Sequence, residues 1–168
     1  MRNILLIENK PEILENLTEA FEMEGYKILA ADNGAKGIEL AREFIPDLIV
    51  SGILIGKMDG YEVLQTLLDR HRTFGIPFIF STTKSEKRDR VLAFELGVDD
   101  YIVKPYELKD IFAMAKKWIK SGSKRVVKTL PPFQVSRKSV SLVKVYSMSG
   151  YQVIQPVQNK ISNLTQES

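Results

Sequence analysis

The 168-residue chain contains no cysteine. That removes disulfides, thiolate zinc sites and cysteine nucleophiles together. It has one histidine, His71, and one tryptophan, Trp118. His71 stands between Arg70 and Arg72 and reads as a solvated helix end rather than a phosphoacceptor or a base. Trp118, among Lys116, Lys117 and Lys120, reads as a partly buried ring rather than a stacking platform for bases. No run of 18 apolar residues occurs, so no membrane-spanning helix and no membrane partner are expected. Met1-Arg2-Asn3 leads directly into Ile4–Ile7, a run too short for a secretory signal and without a small-residue cleavage site. The expected location is the cytoplasm.

What is present is ordinary for a globular protein: 44% hydrophobic and 27% charged residues, enough to bury a real core. The net charge of +3 hides an asymmetry. Residues 1–120 carry 17 Lys/Arg against 20 Asp/Glu, whereas residues 121–168 carry 7 against 1. The boundary predicts one domain over 1–120 and a short basic tail over 121–168. Ser121-Gly122-Ser123-Lys124-Arg125 has linker composition. Beyond it, Val140–Tyr146 and Tyr151–Val157 flank Ser147-Met148-Ser149-Gly150 as a hairpin would. A lone hairpin is marginal in water, so the tail is expected to dock on something or to be partly disordered.

Along the first 120 residues, apolar runs alternate with amphipathic stretches. Ile4–Ile7 reads as a strand, and Pro11 opens a helix with Leu14, Leu17 and Phe21 on one face, ended by Gly25. Tyr26–Ala30 is a second strand, followed by an Asp32-Asn33-Gly34 turn and a helix lined by Ile38, Ala41 and Ile45 that Pro46 stops. Leu48–Val50 is a third strand, and Val63, Leu64, Leu67 and Leu68 mark the third helix. Ile76–Ser81 is a fourth strand; Val91, Phe94 and Leu92 belong to a fourth helix closed by Gly97. Tyr101–Val103 is the fifth strand, and Leu108, Ile111, Phe112, Ala115 and Ile119 mark the fifth helix. Five strand–helix units predict an α/β fold, a doubly wound five-stranded parallel sheet with five helices, for which the flavodoxin-like order 2-1-3-4-5 is taken. In such a sheet ligands bind at the carboxyl ends of the strands, where strand order reverses. Glu8 and Asn9, Gly52, Thr82 and Lys104 follow four different strands and should converge there.

Three stretches carry a resemblance. Pro46-Asp47-Leu48-Ile49 leads to Met58-Asp59-Gly60, Ile76-Pro77-Phe78-Ile79 follows, and the run from Phe94 to Tyr106 includes Gly97-Val98-Asp99-Asp100-Tyr101 and Lys104-Pro105. Over about residues 3–120 the chain resembles the receiver domains of bacterial two-component response regulators. The resemblance implies an acidic pair after the first strand and a phosphoacceptor aspartate after the third, together holding magnesium. It also implies a switch hydroxyl, a switch aromatic and a phosphate-reading lysine. The matching positions here are Glu8-Asn9, Gly52, Thr82, Tyr101 and Lys104. Asn9 is an uncharged amide, and Gly52 has no side chain to act as ligand or nucleophile. With three carboxylates and a lysine the family site needs a divalent cation for balance. Glu8 and Lys104 are already neutral together, so no cofactor is expected and magnesium binding should be weak or absent. Restoring carboxylates at positions 9 and 52 is expected to restore it.

The reading that follows is a pseudo-receiver: a non-enzymatic signalling module that binds a histidine kinase or another regulator without being phosphorylated. The family resemblance points to the fourth and fifth helices and the strand between them as the partner surface. Lys84–Arg90, a mixed-charge run, otherwise reads as the wet face of the fourth helix. Two alternatives stand beside it. The basic tail could bind nucleic acid, although it lacks a convincing helix pair. Asp59 could replace the missing phosphoacceptor, although the family already places an aspartate there in a turn.

Overall fold

Successive side chains of a strand point to opposite faces, which sends Ile4 and Leu6 one way and Leu5 and Ile7 the other; all four are buried. Such a strand has to lie inside a sheet that is covered on both sides. In the computed structural model, which describes residues 1–123 and Arg125, this strand is β1 (Asn3–Ile7). It pairs in parallel with β2 (Lys27–Ala31) and β3 (Leu48–Ser51). With β4 (Phe78–Thr82) and β5 (Asp100–Val103) the sheet has the order β2-β1-β3-β4-β5, as the sequence predicts.

The helices are α1 (Pro11–Met23), α2 (Gly34–Phe44), α3 (Gly60–Leu68), α4 (His71–Phe74), α5 (Lys87–Glu95) and α6 (Leu108–Ser121). Leu17 and Phe21 of α1 and Ile111, Ala115 and Trp118 of α6 cover the face that carries Ile4, Leu6, Leu48, Val50 and Ile79. Phe21 meets Phe112 edge-on at 5.0 Å between centroids, joining the two helices. Ile38 and Ala41 of α2, Val63, Leu64 and Leu67 of α3, and Ala93 of α5 cover the other face.

Local chemistry sets the helix ends. Asn33 Oδ1 accepts from Lys36 N at 2.9 Å and caps α2. Asp59 Oδ1 accepts from Glu62 N at 2.9 Å while Glu62 Oε2 accepts from Asp59 N at 2.8 Å, a reciprocal cap that starts α3. Ile45 ends α2 in the left-handed region (φ 45°), directly before Pro46, whose ring disfavours the helical conformation for its predecessor.

Three features depart from expectation. There are six helices among the described residues, because the chain after α3 takes a separate four-residue turn, α4, held by Thr73 Oγ1 donating to Leu67 O at 2.6 Å. His71 therefore begins a short helix rather than ending one, and it is exposed. In α5 only Ala93 is buried; Val91, Leu92 and Phe94 are 46%, 42% and 43% exposed, so the residues read as its inner face are largely outside. Trp118 is more buried than expected, at 8% exposure, because Nε1 donates to Asp100 Oδ2 at 2.7 Å.

The chain divides into Met1–Val126 and Val127–Ser168. The expected hairpin of the tail lies outside the described residues. No helix among the described residues is long and apolar enough to cross a membrane.

Candidate functional site

The parallel ladders continue one residue past the strands. Glu8 N donates to Ala31 O (3.0 Å), Gly52 N to Ile7 O (2.9 Å) and Lys104 N to Thr82 O (2.8 Å). These bonds bring Glu8, Gly52, Thr82 and Lys104 to one level at the carboxyl end of the sheet. Together with Asn9, Leu54, Ser81 and neighbouring residues they line a crevice of ≈ 100 Å³. Five of the six predicted site residues thus meet. Tyr101 does not line this crevice.

Glu8 is 6% exposed and is the one carboxylate among the described residues that line the crevice. Its Oε2 pairs with Lys104 Nζ at 2.5 Å. Its Oε1 accepts from Lys10 N at 3.0 Å. With its amide turned so that the nitrogen faces these acceptors, Asn9 Nδ2 donates to the same oxygen at 3.1 Å and to Leu54 O at 3.2 Å. Both carboxylate oxygens are therefore occupied by donors from the chain itself. Among the described residues, no group of three or more His, Asp and Glu side chains gathers as metal ligands would.

Gly52 is buried, and a Cβ placed on it would meet Ile55 Cγ2 at 2.8 Å. Ile55 is 1% exposed. That methyl is attached to Cβ and cannot swing aside like the end of a long side chain; moving it means turning χ1 in a packed core. Sequence reasoning missed Ile55, because nothing in an apolar residue three positions along announces that it takes up its neighbour's space. Gly60 is fixed more tightly still: a Cβ there would stand 2.2 Å from Gly52 O, and Gly60 N donates to Ile53 O at 2.8 Å. The start of α3 is thereby pressed against the loop that follows β3.

Thr82 is 3% exposed, and its Oγ1 accepts from Lys84 N at 3.2 Å. Ser81 Oγ shares a 2.7 Å hydrogen bond with Tyr106 Oη. Burial pushes the Tyr106 phenol up, and the Glu8 charge adds to that, against the Ser81 bond. Tyr101 is 3% exposed; its ring lies against Phe80 (6.2 Å between centroids) and its hydroxyl donates to Lys84 O at 2.7 Å. Lys84 Nζ reaches Asp89 at 3.4 Å, and Tyr61 Oη donates to Asp89 O at 3.4 Å. The Tyr61 phenol is pushed up to about 12, chiefly by burial and then by the charges of Tyr101, Asp89 and Asp59. Tyr101 thus ties the β4–α5 loop to β5, Tyr61 ties α3 to α5, and the Lys84–Asp89 pair ties the loop to α5.

The pattern described as the response regulator receiver domain matches residues 4–116. The chain belongs to that family. RpaA of Synechocystis sp., a DNA-binding dual master transcriptional regulator, is 34% identical over 116 residues, 69% of this chain and 48% of that protein. The response regulator SaeR of Staphylococcus aureus is 27% identical over 156 residues, 91% of this chain and 66% of that protein. The signal receiver domain of a histidine kinase from Syntrophus aciditrophicus superposes with a TM-score of 0.68 and 31% identity, over 79% of this chain and all of that one. The chain spans about half the length of the first curated relatives it matches. It is therefore a receiver domain of two-component signalling with a further segment after it. Within this receiver, Asp59 serves as the cap of α3, with Oδ1 engaged by the Glu62 amide.

Proposed function

We propose that this receiver works as a protein-binding signalling module without phosphorylation and without magnesium. One observation carries the reading: the groups a metal or phosphoryl group would need are already engaged or missing. Position 52 offers no side chain, Ile55 stands in the space a side chain there would need, and Lys104 and the Lys10 amide take the oxygens of Glu8. A hard divalent cation needs several oxygen ligands, preferably carboxylates, and this crevice has one carboxylate already neutralised. The residues do not fit the family's metal.

The surface for a histidine kinase or another regulator is the one formed by α5, β5 and α6. Val91 and Phe94 stand exposed there beside Lys87, Arg90 and Glu95, which gives an apolar contact area with a charged rim. The test is hydrogen–deuterium exchange of the whole chain with and without acetyl phosphate and magnesium. The reading expects the same exchange in both conditions over Thr82–Glu95 and Asp100–Lys104. Donor-dependent protection in either segment contradicts it.

A second reading is favoured by the SaeR alignment, which at 91% coverage must run into residues 127–168. On that reading the basic tail belongs to an output region that contacts nucleic acid, as the DNA-binding name of RpaA suggests for that relative. DNA retention that falls steeply with salt and disappears on removal of residues 127–168 supports it.

A further inference from the structure

Two residues of the segment with linker composition, Ser123 and Arg125, are tied to the domain. The Arg125 side chain is 10% exposed and that of Asp99 is 4% exposed. Arg125 Nε donates to Gly97 O at 2.7 Å, and Nη1 donates to Phe74 O at 2.7 Å and to Ile76 O at 2.9 Å. Nη2 pairs with Asp99 Oδ2. That carboxylate also accepts from Phe78 N at 2.8 Å and from Ser123 Oγ at 2.7 Å. Ser123 Oγ in turn accepts from Arg125 N at 3.3 Å.

The chemistry is specific to arginine. A planar guanidinium presents its N–H groups in several fixed directions, and here they meet three carbonyls and a carboxylate at once. A lysine could reach one or two of these partners, not all four. Burial works against the charge on Arg125, and Asp99 works for it. A linker arginine in water has no reason to give up its hydration, so this one is held only by its complete set of partners. Gly122, at φ +68°, lets the chain leave α6 in the direction that turns Ser123 and Arg125 back onto the domain.

The partners share a location. Phe74 ends α4, Ile76 precedes β4, Gly97 follows α5 and Asp99 precedes β5. All lie at the amino ends of β4 and β5, the end of the sheet opposite the Glu8–Lys104 crevice.

We propose that Arg125 and Asp99 form a clasp that closes the receiver unit at the amino ends of β4 and β5. The clasp ties the residues just after α6 to the turns that end α4 and α5, through Phe74, Ile76 and Gly97. This stands independently of whether the receiver is phosphorylated.

The test is hydrogen exchange of the whole chain. In the parent chain the amides of Phe74, Ile76, Phe78 and Gly97 to Asp99, each hydrogen-bonded beside the clasp, should be protected. Arg125→Ala should speed exchange at those amides roughly tenfold or more, while β1 and β3 keep their protection. Arg125→Lys should recover only part of the protection, since a charge alone cannot serve three carbonyls. Rapid exchange at those amides in the parent chain, no change in Arg125→Ala, or full recovery with lysine overturns the clasp. Equal loss of protection in β1 overturns it too, because Arg125 would then be a general support of the fold and not a local device.

Discussion

Lys104 Nζ lies 2.5 Å from Glu8 Oε2, joining residues 96 positions apart across the carboxyl ends of β1 and β5. The two side chains are 18% and 8% exposed, so the pair is shielded but not sealed. Removing one partner strands the other charge in a poorly hydrated place. Glu8→Gln should cost ~1–2 kcal/mol, between the values for exposed and fully buried pairs. Glu8→Gln with Lys104→Met should recover part of that, since neither charge is then left alone. Urea denaturation of the three variants checks the order; a double variant less stable than Glu8→Gln contradicts it.

Gly52→Asp should be strongly destabilising, by ~2–4 kcal/mol, because it adds a charge and a Cβ 2.8 Å from Ile55 Cγ2. This revises the expectation from sequence. Asn9→Asp with Gly52→Asp restores the carboxylates but not the room for them, and its melting temperature should not respond to magnesium. Adding Ile55→Ala should produce a saturable magnesium-dependent rise, because a ligand that binds only the folded state stabilises it. Thermal scans with and without millimolar magnesium decide; a rise already present in the double variant shows that Ile55 is not the obstacle.

Much of this was legible in the sequence, and the limit has a physical cause. The sheet's two covered faces and the meeting of Glu8, Asn9, Gly52, Thr82 and Lys104 beyond the strand ends follow from periodicity and a parallel sheet, and the strand order from the resemblance to receiver domains. Each rests on a repeated or shared pattern. What escaped were contacts between residues with no shared pattern. Ile55 looks like any core isoleucine, and Arg125 like any linker arginine, until the fold brings Gly52 to one and Asp99 to the other. Val91 and Phe94 misled in the opposite sense: apolar residues near helical spacing read as an inner face, but here they lie largely outside it.

The Tyr61 phenol, raised to about 12, gives the alkaline limb of stability a direction. A tyrosine whose folded pKa exceeds its unfolded value of about 10 keeps its full contribution below that pH and loses it as pH rises through the folded value. Stability should therefore fall between about pH 10 and 12. Tyr61→Phe should fall less steeply, with Tyr101, raised in the same direction by burial, carrying part of the remaining slope. Denaturation midpoints of both proteins across that range test this; parallel curves contradict it.

Asp59 should prove to be a cap and not an acceptor. Asp59→Ala removes the carboxylate that receives the Glu62 amide and should cost ~1 kcal/mol, while Asp59→Asn, which keeps an oxygen in place, should cost less. Chemical denaturation reads both, and equal losses in the two variants would mean that the charge matters more than the hydrogen bond.

The central claim is that this receiver carries no phosphoryl group, and intact-mass measurement after incubation with acetyl phosphate and magnesium tests it most directly. The account predicts an unchanged mass for the parent chain. A stoichiometric gain of one phosphoryl group that disappears in Asp59→Asn, or in a variant of any crevice residue, would contradict it.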